Sequence, residues 1–230
     1  MTEAANKRKP LLIVGNGEIA SMAYEYFQHD SSYEPVGFAI GSEYVNGDTF
    51  EGLPLVDLTT VEERFPPKSV TAFVAIGDAQ LNRVRARHYA DMKRRGYALA
   101  SYVSSRAFVW HNVSIGENCF ILEDNTLQPH VTIGNNIILW SGNHIGHRST
   151  IDDHVFVTSH VVISGFCKIG AYSYVGVNAA IGNNTDIAED CYIAMSASVA
   201  SSTVPDTIYQ GSPAEARKIS AKRFCRVRGE

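Results

Sequence analysis

The sequence predicts a small α/β unit followed by a parallel β-helix, and three observations predict it. Every sixth residue across 109–199 is Val, Ile or Leu, sixteen in succession without a slip. The fourth residue after these anchors is often small or β-branched, as at Val113, Cys119, Val131, Ser149, Cys167 and Ala179. Ahead of the repeat, an apolar run at 11–14 meets Gly15-Asn16-Gly17 and then a helical pattern.

A period of six is neither the 3.6 of a helix nor the alternation of an ordinary strand. It is the hexapeptide repeat of a parallel β-helix, in which each hexad supplies a short strand and a turn. The anchors point into a common core, and a second inward position beside the corner suits a small side chain. Asn125 and Asn143 fall in that small slot and need hydrogen-bond partners there. Gly116, Gly134, Gly146, Gly170, Gly176 and Gly182 directly follow anchors, where the chain is expected to turn closely.

In chain order, residues 9–14 read as a short buried strand and 19–29 as a helix, joined by the G-x-G-x-x-A turn. Strand, glycine turn and helix open a Rossmann-like, doubly wound unit, whose helix N-terminus can hold a phosphate. Strands follow at 35–40 and 70–76, with a short helix at 58–65 that starts near Thr59 or Thr60. An amphipathic helix spans 80–95 and closes at Gly96. A last strand, 97–103, leads into the repeat. The expected division is therefore 1–103 for the α/β unit, 104–204 for the β-helix and 205–230 for a tail. Pro205 cannot extend a strand ladder and marks the end of the repeat. No Pro/Gly/Ser linker separates the first two parts, so they are expected to pack rigidly.

The totals exclude several classes. The 230 residues carry a formal charge of −4, which offers no basic patch for nucleic acid. No apolar run approaches the ~20 residues of a membrane span, and the N-terminus shows no signal-peptide pattern. A cytoplasmic location with no membrane partner is expected. The 4 cysteines lack metal-ligand spacing, and no metal is expected. Three of them, Cys119, Cys167 and Cys191, fall in the inward slot, while Cys225 lies in the tail.

The hexads, the Gly15-Asn16-Gly17 unit, the segment Ala75-Ile76-Gly77-Asp78 before an Arg-bearing helix, and Asn143-His144-Ile145-Gly146-His147 together carry a resemblance. The chain resembles the hexapeptide-repeat sugar acyltransferases, typified by sialic-acid O-acetyltransferases and N-acetyltransferases of 4-amino sugar nucleotides. The resemblance implies a left-handed β-helix in which three hexads close one triangular coil. It also implies a homotrimer with active sites between neighbouring β-helices, acetyl-CoA along the β-helix, and a nucleotide sugar against the N-terminal unit. Glu18, Asp78 and the glycines Gly15 and Gly17 are the implied substrate contacts. His147 is implied as general base, with His144 as the substitute base beside it. One and two coils beyond His147, the backbone amides of Gly165 and Asn183 are implied to hold the thioester and pantetheine. Lys218, with Lys222 and Arg223, is placed to meet the CoA phosphates.

Two departures from the pattern matter. Relatives often carry an acidic residue after the catalytic histidine; here Arg148 follows, so Asn143 or a carboxylate from elsewhere would have to orient the ring. Relatives often end the second strand with Asp; here the stretch is Phe38-Ala39-Ile40-Gly41-Ser42.

Acyl transfer from a thioester needs a nucleophile, a base and a donor for the developing oxyanion. Imidazole, with an unperturbed pKa near ~6.5, is a base at neutral pH. The leading expectation is an acetyl-CoA-dependent N-acetyltransferase acting on a UDP- or dTDP-linked amino-deoxysugar for surface glycan (O-antigen, lipopolysaccharide) assembly, by direct transfer without an acyl-enzyme. Sugar O-acetylation at the same site is the alternative, followed by a non-catalytic β-helix scaffold. A zinc carbonic anhydrase of this fold would commonly need an H-x4-H pair, and no two histidines stand five apart. An oxidoreductase is suggested by the first glycine turn alone.

Overall fold

The computed structural model describes residues 8–211. It begins with a five-stranded sheet in which an interior strand, β1 (Lys9–Val14), is parallel to β2 (Tyr33–Ile40) on one side. On its other side lies β5 (Thr71–Val74). Outside β2 lies β4 (Leu53–Asp57), which forms an antiparallel hairpin with β3 (Thr49–Phe50). That hairpin has no counterpart among the elements expected from sequence. Side chains of β1 are buried on both faces, as an interior parallel strand requires. Leu12 and Val14 face α2 (Val61–Arg64) and α3 (Arg83–Arg94), with Phe65, Met92 and Tyr97 filling that side. Leu11 and Ile13 face α1 (Glu18–His29) through Phe27, and the same apolar cluster runs on into the β-helix through Tyr102, Phe120, Ile138 and Phe156.

From residue 102 onward the chain winds as a left-handed parallel β-helix. Each strand pairs with the one eighteen residues on: Thr126 with His144, then Val162, then Ala180. Two-residue strands thus build three flat faces. From Ile121 to Val199 every anchor is buried, and with the small inward residues they form one continuous core. The first face carries Tyr102, Phe120, Ile138, Phe156, Tyr174, Tyr192 and Ile208 outward. The N-terminal unit covers the upper part of this face, and Phe156, Tyr174 and Tyr192 continue it as a stacked ladder. Trp140 joins the same interdomain cluster.

Several expectations need correcting. Tyr102–Val103 pairs with Phe120–Ile121, so it belongs to the first coil; the 97–103 segment packs on the N-terminal unit but joins its ladder, among the described residues, by a single Leu99–Ala72 bridge. The prism therefore starts at 102 rather than 104. It also continues past Pro205, because Ile208–Tyr209 pairs with Tyr192–Ile193. Pro205 sits in the connecting turn, where no ladder donor is needed. The last long helix begins at Arg83 rather than 80, because Gln80, Leu81 and Asn82 are all left-handed, with φ of 55°, 49° and 67°.

The corner glycines also have another cause. The left-handed turn position recurs every six residues, and at Asn118, Asn136, Arg148, Tyr172 and Asn178 it falls two residues after a corner glycine rather than on it. The glycines allow close approach between coils instead: a Cβ on Gly146 would stand 2.5 Å from the Gly165 backbone nitrogen.

Candidate active site

His147 occupies the corner where the second face, bearing His144, turns into the third, bearing Thr150. Its position follows from the repeat. Ile145 is the inward anchor, Gly146 lets the next coil approach, and Arg148 takes the left-handed turn at φ 58°. Between them, residue 147 is thrust outward, and His147 is exposed. The ring stands edge-on to Phe166, centroids 5.0 Å apart. It lies over Gly165, where a Cβ would be 2.5 Å from Cε1 and 2.7 Å from Nε2.

The residue that meets the ring is Gln128, one coil above. Its Oε1 accepts the His147 backbone N–H at 2.9 Å and faces Nδ1 at 3.1 Å. Sequence reasoning missed Gln128, although the eighteen-residue stacking pointed to that coil. Asn143 is corrected to a core role. It is buried, its Nδ2 donates to Trp140 O at 2.5 Å, and its Oδ1 accepts Val161 N–H at 2.8 Å. A residue in the small inward slot points into the prism and cannot orient an outward ring. Asn125, the same slot one coil earlier, donates to Leu122 O and Trp140 O, while its Oδ1 has no partner among the described residues. His144 is half-buried on the second face, three residues before His147, with its strand bonded on both sides.

Below His147, the backbone N–H groups of Gly165 and Asn183 make no hydrogen bond among the described residues, whereas their neighbours Ser164 and Phe166 do. Unpaired amides stacked one coil apart, beside an imidazole, are donors available to a carbonyl. Lys218, Lys222 and Arg223 lie outside the described residues. Cys119, Cys167 and Cys191 are buried in the prism, and burial pushes the thiols of Cys119, to about 11, and of Cys167 up.

A second concavity opens on the N-terminal unit. It measures about 320 Å³ and is lined by Gly15, Asn16, Gly17, Glu18, Tyr44, Gly77 and His88, among others. Gly15 is indispensable to its floor: φ is 136°, and a Cβ would strike Ala75 O at 2.6 Å. Gly17 caps α1 with no side-chain hydrogen bond, which leaves the first-turn amides facing the cleft. Asn16 Nδ2 donates to Tyr44 O at 3.1 Å and ties the wall to the turn. Burial pushes His88 below its usual range, so it is neutral at neutral pH. Asp78 is exposed and lies just past the lining residue Gly77. At the end of β4, beside Ile40, Asp57 accepts from Thr59.

A larger hollow, about 610 Å³, lies at the other end of α1. Of its three carboxylates, Asp30 is engaged by Tyr102, Glu123 by Tyr26 and Ser141, and Glu25 stands 3.5 Å from His29.

Arg85 explains how the cleft is held. It is fully buried in α3 and donates to the carbonyls of Gly77 (2.9 Å), His154 (3.1 Å) and Asn136 (3.3 Å), and to Asn82 Oδ1 (3.1 Å). Burial pushes its pKa down to about 9, which still leaves it charged at neutral pH. The signal in the sequence was an arginine on the buried stripe of an amphipathic helix.

The bacterial transferase hexapeptide (six repeats) family model matches residues 112–147. The chain thus carries the hexapeptide repeat in the early coils of its β-helix. Among solved structures, it is similar to the acetyltransferase domain of PglB from Neisseria gonorrhoeae FA1090, at 18% identity and a TM-score of 0.77, over 87% of this chain and 96% of that one. A mutant perosamine N-acetyltransferase from Caulobacter crescentus, in complex with CoA and GDP-perosamine, has 18% identity and a TM-score of 0.77, over 86% and 90%. WeeI from Acinetobacter baumannii AYE has 17% identity and a TM-score of 0.62, over 83% and 95%. No curated protein matches by sequence. Among the described residues no helix is long and apolar enough to cross a membrane, and no cluster of three or more His, Cys, Asp or Glu could hold a metal.

Proposed function

We propose that the chain is an acetyl-CoA-dependent N-acetyltransferase acting on a nucleotide-linked amino sugar. The observation that carries this reading is the corner at His147: an exposed imidazole beside two unpaired backbone amides. The amides of Gly165 and Asn183 suit a thioester carbonyl and a pantetheine amide, and Nε2 suits the proton of the acceptor. The cleft at Gly15–Glu18 suits the nucleotide, with its diphosphate at the α1 N-terminus. The solved structure with CoA and GDP-perosamine shares this fold across most of both chains, which agrees with that division of labour.

The two sites belong to different copies of the chain. The cleft sits on the unit that covers the first face, whereas His147 stands at the corner joining the other two. Phe108, Trp110, Val162 and Phe166 are exposed around that corner, an apolar surface for a neighbouring β-helix. A homotrimer brings one copy's cleft to the next copy's His147.

Incubation with acetyl-CoA and a panel of UDP-, dTDP- and GDP-linked amino sugars, followed by thiol release, tests the reading. One amino sugar should support turnover, and His147→Ala should lower kcat/KM by about 100-fold or more. Turnover confined to hydroxyl-only sugars would replace this reading by O-acetylation.

A further inference from the structure

We propose that Gln128 is the positioning residue for His147, and that its neutral amide matches the site to an amine acceptor rather than a hydroxyl. The inference rests on the transfer reaction proposed above and ties its amine acceptor to a residue. One atom, Gln128 Oε1, meets both the His147 backbone N–H (2.9 Å) and ring Nδ1 (3.1 Å). A backbone N–H can only donate, so the atom facing it is the amide oxygen and not the amide nitrogen. An amide oxygen has no proton to give, so Nδ1 carries the hydrogen and Nε2 holds the lone pair. The backbone thereby settles both the amide orientation and the tautomer. Gln128 is itself fixed, because it is half-buried and its N–H donates to Ile145 O at 3.0 Å.

Within one chain, the described surroundings of the ring supply no acid. Arg148 follows the ring, His130 lies one coil above, Gly165 and Phe166 lie beneath, and His144 and Thr150 stand on the flanking strands. No carboxylate among the described residues pairs with His147. A neutral amide orients an imidazole but raises its basicity less than a carboxylate does.

An amine tolerates that. Its nitrogen lone pair attacks the thioester carbonyl, the C–N bond forms, and the nitrogen becomes cationic and acidic. His147 Nε2 takes that proton. The tetrahedral oxyanion collapses, the C–S bond breaks, and the protonated Nε2 returns the proton to the departing thiolate. A hydroxyl must lose its proton as the C–O bond forms, which asks more of the base.

Two variants test the proposal. Gln128→Glu keeps an acceptor for both N–H groups and adds a charge. It should raise the acid limb of the kcat/KM profile, and the nitrogen-15 titration of His147, by roughly half to one pH unit. It should also improve hydroxyl acceptors relative to amines. Gln128→Leu removes the acceptor. It should lower kcat about 10-fold with little change in KM, and nitrogen-15 spectra of its His147 ring should show both neutral tautomers. An unmoved titration in Gln128→Glu, or a single Nδ1–H tautomer in Gln128→Leu, overturns the positioning role. Equal wild-type turnover of amine and hydroxyl acceptors overturns the acceptor assignment. The nitrogen-15 measurements need no substrate, so their failure is distinct from failure of the transfer reading, which would appear as no thiol release by the wild type.

Discussion

Gly165 serves the site through the Cβ it lacks. Its φ is not in the left-handed region, so alanine fits the backbone; the three atoms nearest the added Cβ, at 2.5–3.0 Å, all belong to the His147 ring. A ring at the end of a side chain can swing aside, so Gly165→Ala should fold with a Tm within a few degrees of the wild type. The displaced ring would lose its contact with Gln128, and kcat should fall roughly 10- to 100-fold. A thermal melt and a steady-state assay on the same preparation check both halves. The outward corner place of His147 was legible from the hexad register, whereas its proposed role as base came from the family resemblance. Gln128 was harder to see, because its role depends on which of two corner positions in the coil above lies over the ring. Asn143 misled for a related reason: nearness in sequence says nothing about pointing into or out of a prism.

At the scale of elements, the cleft depends on how the sheet's edge meets the β-helix. β5 is an edge strand with bonds to offer. Asn118, at a left-handed corner, accepts from Val74 N–H at 2.7 Å and donates to Val74 O at 3.2 Å, so one side chain stands in for a neighbouring strand. Asn118 donates in turn to Asn136 Oδ1 at 2.8 Å, and Asn136 faces His154 Nδ1 at 2.9 Å. Next to this ladder the left-handed run 80–82 turns Asn82 inward, where it donates to Tyr172 O and Ser173 O. Arg85 then ties Gly77, on the cleft wall, to the carbonyls of the same corner. Arg85→Met fills much of the volume but orphans those carbonyls. It should destabilise the protein by about 3 kcal/mol or more, read as a lower urea midpoint, and weaken nucleotide-sugar binding before it affects acetyl-CoA binding. Little of this was legible. The strands and helices of the unit follow local periodicity, so most were placed within a few residues. The hairpin at 49–57 depends on β4 pairing with β2, 17 positions away, while the left-handed run and the start of the asparagine ladder depend on contacts across 90 and 44 positions of sequence.

At the scale of the whole molecule, the prism sets the proposed base at a corner away from the face that the N-terminal unit covers. The repeat itself was fully legible, because one residue type at one spacing dictates one core. Its consequence for assembly needed the faces: the first is taken by the N-terminal unit, and the outward residues of the second, Phe108, Thr126, His144, Val162, Ala180 and Ser198, include no Asp, Glu, Lys or Arg. A closed ring of copies would cover that face and seat each His147 beside a neighbour's cleft. Complementation tests this directly. His147→Ala removes the base. Gly17→Glu places a charge at the α1 N-terminus, where an added Cβ meets no atom within 4 Å, so the fold is unaffected and the diphosphate is repelled. Each variant alone should be nearly inactive. If the variants are unfolded and refolded together in equal amounts, about a quarter of the shared sites pair an intact base with an intact cleft from the next chain, and activity should return to about that fraction of wild type. A site contained within one chain would gain nothing from mixing, because every chain would still carry one defect. The refolded mixture must also sediment as a trimer, since recovery in a dimer or monomer would contradict the ring.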